Sequence, residues 1–301
     1  MADHPSTPLH QRIVTWIPYL WLAAFFLAPF LIVAKISLSQ TTIAQPPYLP
    51  VFNSPAEFST DLQALSFGNY LWLAQNALYA KALFSSLWIA GLSALITLLI
   101  GFPLAYAMAR APRRLRAVLV MLVVLPFWTS FLIRVYAWIG ILKPEGLLNQ
   151  ALIYVGLIDQ PLAIINTNWA VVIGIVYSYL PFMVLPLYAS LEKLDASLLE
   201  AAADLGATPF TSFWRVTVPL AVPGIVAGFM LVFIPAMGEF VIPDLLGGSG
   251  TLMIGRTLWS EFFQNRDWPV ASAVAIVLLL LLVIPIVLFQ NAQARLREAA
   301  R

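Results

Sequence analysis

Six stretches of predominantly apolar residues, at 16–38, 83–109, 117–142, 169–190, 220–242 and 269–289, constrain what this chain can fold into. About 20 apolar residues in a helix match a hydrocarbon core roughly 30 Å thick. In lipid the backbone must satisfy its own hydrogen bonds, which leaves helices or a closed barrel, and a barrel would show alternating runs of about ten residues. The expectation is an all-α polytopic membrane protein of six transmembrane helices, flanked by short tails at 1–15 and 291–301. Prolines inside the stretches (Pro18, Pro29, Pro103, Pro126, Pro181, Pro186, Pro235, Pro285) are tolerated there as kinks. The first stretch is too long for the apolar region of a secretory signal and carries two of these prolines, so it reads as a retained span.

Composition closes the other routes. With 61% hydrophobic and 10% charged residues, the chain lacks the polar surface of a soluble domain, where about 25% of residues are charged. Disorder needs the opposite balance. There is no cysteine, and His4 and His10 both lie near the N-terminus, so no metal cluster is expected within the membrane. A net charge of +2 gives no reason to expect nucleic acid as a partner.

The basic residues set an expected orientation. Arg12, Arg110, Arg113, Arg114, Arg116, Lys193, Arg215, Arg295, Arg297 and Arg301 fall on one side of a six-span chain; Lys35, Lys81, Lys143, Arg256 and Arg266 fall on the other. By the positive-inside rule both termini are cytoplasmic. Loops at 39–82, 143–168 and 243–268 then face outward, and 110–116 and 191–219 face inward.

The inward loop 191–219 reads LEKLDASLLEAAADLGATPFTSFWRVTVP. Ser197 and Glu200 have the S-x-x-E spacing of a capping box. Leu198, Ala202 and Leu205 follow at i, i+4 and i+7, one apolar stripe. Gly206 stands where a helix would stop, and Thr208-Pro209 is a cap and first-turn pair for a second short helix. Two short helices hinged at a glycine are expected. The competing reading, an amphipathic helix lying on the bilayer, is disfavoured by its acidic residues Glu192, Asp195, Glu200 and Asp204.

Glu200-Ala201-Ala202, three residues, Gly206, nine residues, then Val216-Thr217-Val218-Pro219 resembles the EAA-x3-G-x9-I-x-L-P signature of ABC-importer permeases. Val216 and Val218 replace the usual Ile and Leu, a change of apolar bulk only. The resemblance implies a type I permease fold and a coupling helix, with Glu200, Ala201, Ala202, Gly206, Pro209 and Pro219 serving its contact with a cytoplasmic ATPase. It also implies that ATP and Mg are bound by that partner, so no cofactor and no enzymatic activity are expected of this chain. Gly247-Gly248-Ser249-Gly250-Thr251 agrees, since it lacks the lysine and spacing of a P-loop and reads as a turn.

Ionisable residues within a membrane are costly enough to be functional candidates by default. Arg134 falls in the third stretch and Glu239 in the fifth, with Asp244 just beyond. Glu239 could neutralise Arg134 in a structural ion pair, or face a pathway and attract a cation; both readings stand at this level. Trp128, Tyr136, Trp138, Tyr177 and Tyr179 could hold ammonium groups over their rings, although aromatics near span ends commonly form interfacial belts.

LPFWTSFLIRVYAW (125–138), GEFVIPDLLGG (238–248) and LMIGRTLWSEFFQNRDWPVASAVAI (252–276) are similar to the polyamine, putrescine-type branch of these permeases. That branch implies an ATPase homodimer, a second homologous permease subunit, a periplasmic polyamine-binding protein and a bacterial inner-membrane location. The mixed charges of the third outward loop (Asp244, Arg256, Glu261, Arg266, Asp267) would suit docking of a soluble protein. The first outward loop, with Pro46, Pro47, Pro50 and Pro55, would cover the outer face. The alternatives are an ion-gradient-driven secondary transporter, for which no internal repeat is evident, and an ABC permease for another substrate. A membrane-embedded enzyme lacks the usual nucleophile, base and metal ligands.

Overall fold

The computed structural model describes residues 9–52 and 58–299. His4, Pro55 and Arg301 lie outside these residues, as do the side chains of His10, Arg12, Arg295 and Arg297. The chain forms two compact units, Met1–Ala77 with Leu258–Arg301, and Leu78–Thr257.

In the first unit the helix Leu9–Leu22 passes through a π-helical turn, Ala23–Leu27, into Ala28–Ser37. Its last part, Ala28–Ser37, packs along the C-terminal helix Trp268–Ala299. Asp267 starts that helix, its Oδ1 accepting from the Val270 amide (3.1 Å) and the Thr41 hydroxyl (2.6 Å). Thr41 belongs to a two-stranded antiparallel ribbon in which Gln40 faces Leu49 and Thr41 faces Tyr48. Asn69 stitches the turn after the first helix, donating to the Ser37 and Ser39 carbonyls at 2.8 Å each.

The second unit is built around two helices, Asn168–Leu191 and Val218–Met237. Gly224 and Gly228, four apart on the second helix, allow the close approach. A Cβ on Gly224 would sit 2.8 Å from the Pro186 carbonyl, and one on Gly228 would sit 2.8 Å from Met183 Sδ. Small residues spaced by four are how membrane helices make van der Waals contact without a hydrophobic driving force. Ala94, Ala105, Met183, Val184, Leu187, Ala221 and Val232 fill the core, the first two from the 34-residue helix Ala77–Arg110.

Among the described residues four helices are long and apolar enough to cross a membrane: Trp16–Ser37, Ala77–Arg110, Asn168–Leu191 and Pro209–Met237. The expected single span at 117–142 is instead a bent pair, Arg113–Trp128 and Phe131–Tyr154, at 87° to each other. Thr129 and Ser130 between them are both extended (ψ 150° and 137°), which turns the chain. Neither Arg113–Val124 nor Phe131–Leu142, about 18 Å long at about 1.5 Å per residue, would cross alone.

The fifth stretch departs too. Its helix begins upstream at Pro209 and ends at Met237, so Glu239 does not sit within a helix, as its place in the 220–242 stretch had suggested, but in a break before the short helix Val241–Leu245. The Glu239 carboxylate takes up amides that the break leaves open.

Candidate functional site

Both candidate regions lie in the second unit. In the inward loop a helix runs Ser197–Asp204. The capping box expected of Ser197 and Glu200 does not form. Ser197 is already helical, and Asp195 Oδ1 accepts from the Ser197 amide at 3.0 Å. A carboxylate two residues upstream is the stronger acceptor for an open amide. The Ser197 contacts, backbone first, hold the Asp195 carboxyl below its usual value.

The helix ends in a Schellman motif. The Gly206 amide donates to the Ala203 carbonyl (2.8 Å) and the Ala207 amide reaches back to Ala202 (2.9 Å), with Gly206 at φ +81°. Thr208 caps the next helix by accepting from the Thr211 amide (3.2 Å), and Pro209 occupies its first turn. This second helix does not stop. It widens into a π-helical turn, Phe213–Thr217, and runs on as Val218–Met237. Pro219 has no amide hydrogen to return to the Arg215 carbonyl, so the regular ladder is interrupted there. The loop's exit is thus one continuous rod with the membrane helix.

Two contacts tie the loop to the rest of the unit. At its entry Arg116 Nη1 meets Glu192 Oε1 at 3.1 Å, while Arg116 Nε donates to the Ala111 carbonyl. The Tyr188 hydroxyl, then Arg116, hold the exposed Glu192 carboxyl below its usual value. At its exit the Phe213 ring packs edge-on against Phe102 (5.5 Å) and Tyr106 (6.0 Å). Between these anchors Glu200 and Ala201 are exposed and Ala202 is half-buried. Leu205 (89% exposed), Phe210 and Trp214 project without cover from the described chain. Of the apolar stripe read from the sequence, Leu198 and Leu205 are exposed and Ala202 is half-buried.

The second region is a cavity of about 560 Å³ where three elements converge. Phe127, Phe131 and Arg134 come from either side of the 87° bend; Ser178, Tyr179 and Phe182 come from one face of Asn168–Leu191; Glu239 and Phe240 come from the break after Met237. Glu239 is 7% exposed. Its Oε2 accepts from the Tyr179 hydroxyl (2.5 Å), and its Oε1 accepts from the Val241 (3.0 Å) and Ile242 (3.3 Å) amides. All three donors are neutral, so hydrogen bonds alone hold a buried carboxylate.

Arg134 lines the same cavity but forms no salt bridge with Glu239 within 4.0 Å; among the described residues the ion pairs are Arg116–Glu192 and Arg256–Asp244. The guanidinium lies over Phe127 (5.3 Å) and Phe131 (5.8 Å). Such contacts reach about 2 kcal/mol when desolvated. Its Nε and Nη1, like the Ser178 hydroxyl, are buried with no hydrogen-bond partner among the described residues.

The structure thus gathers Arg134, Tyr179 and Glu239 and leaves Trp128, Tyr136, Trp138, Tyr177 and Asp244 outside the cavity lining. Trp128 (71% exposed) and Tyr136 point away from the cavity lining, and Tyr177 packs edge-on against Trp138 at 5.3 Å. Asp244 instead pairs with Arg256 at 3.2 Å, and Arg256 also donates to the Gly248 carbonyl, ordering the glycine-rich turn. Phe127, Phe131, Phe182 and Phe240 were not singled out by sequence. Phe127, Phe131 and Phe240 lie within a few residues of a charge or a polar break, with no rule to say which ring faces inward, whereas Phe182 sits mid-helix with no such signal.

Residues 98–298 match the family described as binding-protein-dependent transport system inner membrane component. The chain is 43% identical to the spermidine/putrescine transport system permease protein PotB of Haemophilus influenzae, over 96% of each chain. It is 38% identical to the protein of that name from Salmonella typhimurium, over 97% of each. Among solved structures it resembles a bacterial ABC transporter involved in import of the acidic polysaccharide alginate (TM-score 0.67, 20% identity, 95% of this chain and 94% of that one). It also resembles the MetNI methionine ABC transporter (TM-score 0.52, 20% identity, 78% and 99%). At that identity the likeness is one of fold, whereas the family match and the relatives speak to descent: the chain belongs to the inner membrane components of binding-protein-dependent transport systems.

Proposed function

We propose that this chain is the subunit through which an ATP-driven importer passes a polyamine, putrescine in the first place and spermidine as its near alternative. In this reading a periplasmic binding protein delivers the substrate, a second homologous permease subunit completes the pathway, and two ATPase copies supply the work, binding the ATP and Mg. Six stretches cross the bacterial inner membrane, the bent pair counting as one, with both termini in the cytoplasm.

The observation that carries the reading is the Glu239 carboxylate, buried in an aromatic-walled cavity and held by neutral donors, so its charge is not cancelled by contact. A carboxylate beside aromatic faces recognises alkylammonium groups by charge and by cation–π attraction. The names of the relatives point to the same chemistry. The loop at 191–219 is the lever: anchored at both ends, apolar on its free face and continuous with a membrane helix, it would turn closure of the ATPase pair into rigid-body motion of the spans.

The test is uptake of labelled putrescine and spermidine into liposomes carrying the reconstituted assembly, with and without ATP. Uptake that requires ATP and the binding protein is expected. Transport by this chain alone on an ion gradient would refute the subunit assignment, and ATP-driven uptake of another solute with none of polyamine would refute the substrate.

A further inference from the structure

The cavity presents two charged side chains among the described residues, Arg134 and Glu239, and they are not joined. A residue that locks two helices together is normally paired and hydrogen-bonded, because an unmade bond to a buried polar group is expensive. Among the described residues Arg134 has neither kind of partner. Its Nε and Nη1 are open, and its guanidinium rests on the faces of Phe127 and Phe131. Facing the same space, the Ser178 hydroxyl is also unpartnered, in a residue only 3% exposed. These three polar atoms are buried at the cavity wall without partners among the described residues, so the field of Arg134 reaches the cavity uncancelled by contact.

We propose that Arg134 is a resident cation that keeps this cavity near electrical neutrality, so that a polyamine crosses it without lodging there. The proposal rests on the polyamine reading above. Glu239 alone, in a low-dielectric and aromatic-walled space, would hold a di- or tri-cation too well for rapid release. Arg134 offsets that attraction in two ways. Its charge opposes a second ammonium at any position near Phe127 and Phe131, and its guanidinium already covers the ring faces that an ammonium would use. The substrate then gains one favourable contact at Glu239 and meets rising repulsion beyond it. Arg134 thereby sets affinity for polycations by its field, while Glu239 makes the contact.

The experiment measures equilibrium binding of labelled spermidine to the complete transporter in nanodiscs, with the binding protein omitted, alongside ATP-driven uptake by the same complex with the binding protein present. Arg134→Gln is expected to bind spermidine about tenfold more tightly and to take it up more slowly. That is the scale of one unit charge acting across about 10 Å at an effective dielectric constant of about 20. Ser178→Asp adds a carboxylate to the same cavity while leaving Arg134 in place, and is expected to move both quantities in the same direction. Arg134→Lys keeps the charge but uncovers the Phe127 and Phe131 faces, and is expected to bind between wild type and Arg134→Gln. Unchanged or weaker binding in either Arg134→Gln or Ser178→Asp overturns the proposal; if Arg134→Gln does not assemble, Arg134→Met, which also removes the charge, takes its place. A wild-type complex that carries no polyamine defeats the polyamine reading and this proposal together, whereas a polyamine-transporting wild type with insensitive variants defeats only this one.

Discussion

The Tyr179 hydroxyl donates to Glu239 Oε2 at 2.5 Å, joining a side chain inside a membrane-length helix to one in a helix break 60 residues later. The same carboxylate accepts from the amides of Val241 and Ile242, so Glu239 shapes the backbone of the break as well as charging the cavity. The two roles separate by substitution. Glu239→Gln keeps an oxygen for the amides, turns an NH2 donor toward the Tyr179 oxygen and loses the charge. It should leave the complex assembled and lower polyamine uptake at least tenfold, read as initial rate in liposomes. Tyr179→Phe keeps the charge and removes one donor, which costs about 1–3 kcal/mol for a buried acceptor. That variant should melt earlier in a thermal-unfolding assay while retaining much more uptake than Glu239→Gln. The reverse ranking would make Glu239 a structural residue.

Gly206 sits at φ +81°, and a Cβ built there meets nothing within 4 Å. Any penalty on substitution is therefore conformational rather than steric. A non-glycine residue in this region costs about 1–2 kcal/mol, with Asn tolerated best. Gly206→Asn should retain most uptake. Gly206→Asp also places a negative charge beside the helix C-terminus, which the dipole disfavours, and should abolish uptake while the protein still inserts. Parallel measurement of membrane-extracted protein and of uptake tests both; an Asp variant with normal uptake would remove the hinge from the coupling mechanism.

The loop was legible because its signals are local. Gly206, Thr208 and Pro209 each act on their immediate neighbours, and all three stand where the sequence put them. The capping box failed for an equally local reason, since Asp195 competes for the amide that Ser197 was expected to share in capping. Hydropathy located the stretches but could not show the 87° bend, because Thr129 and Ser130 interrupt an apolar run without changing its average. Glu239 was visible as a costly charge, and Arg134 with it. That they would line one cavity without pairing depends on how three distant elements meet, and no spacing rule encodes that.

Gly224 and Gly228 make the helix contact on which the second unit depends. A Cβ at 224 would lie 2.6 Å from Ser190 Cβ and 2.8 Å from the Pro186 carbonyl, neither of which can swing aside as a long side chain can. Overpacking of this kind costs about 1–3 kcal/mol. Gly224→Ala should lower the apparent melting temperature of the detergent-solubilised protein, and Gly224→Leu should prevent its recovery from membranes. Gly91, whose Cβ would meet nothing within 4 Å, is the control: Gly91→Ala should be neutral or slightly stabilising.

The Arg116–Glu192 contact predicts an acid-sensitive anchor at the loop's entry. Glu192 is held below its usual value of 4.5, first by the Tyr188 hydroxyl and then by Arg116. A carboxyl depressed in the folded state stabilises that state above its unfolded value, and the contribution fades as pH falls through the lower, folded one. The anchor is therefore intact at neutral pH and is lost only below about pH 4.5, in the carboxylate range. Glu192→Gln should flatten the acid limb of a stability–pH curve measured from pH 7 down to pH 3. Both partners are solvent-exposed in part, so the change at pH 7 should be small, as it is for surface pairs generally. Coupling is the more sensitive readout. If the anchor transmits motion from the loop to the 110–116 turn, Arg116→Gln should lower uptake per ATP hydrolysed more than it lowers the melting temperature, and an unchanged ratio would confine the pair to holding the loop in place.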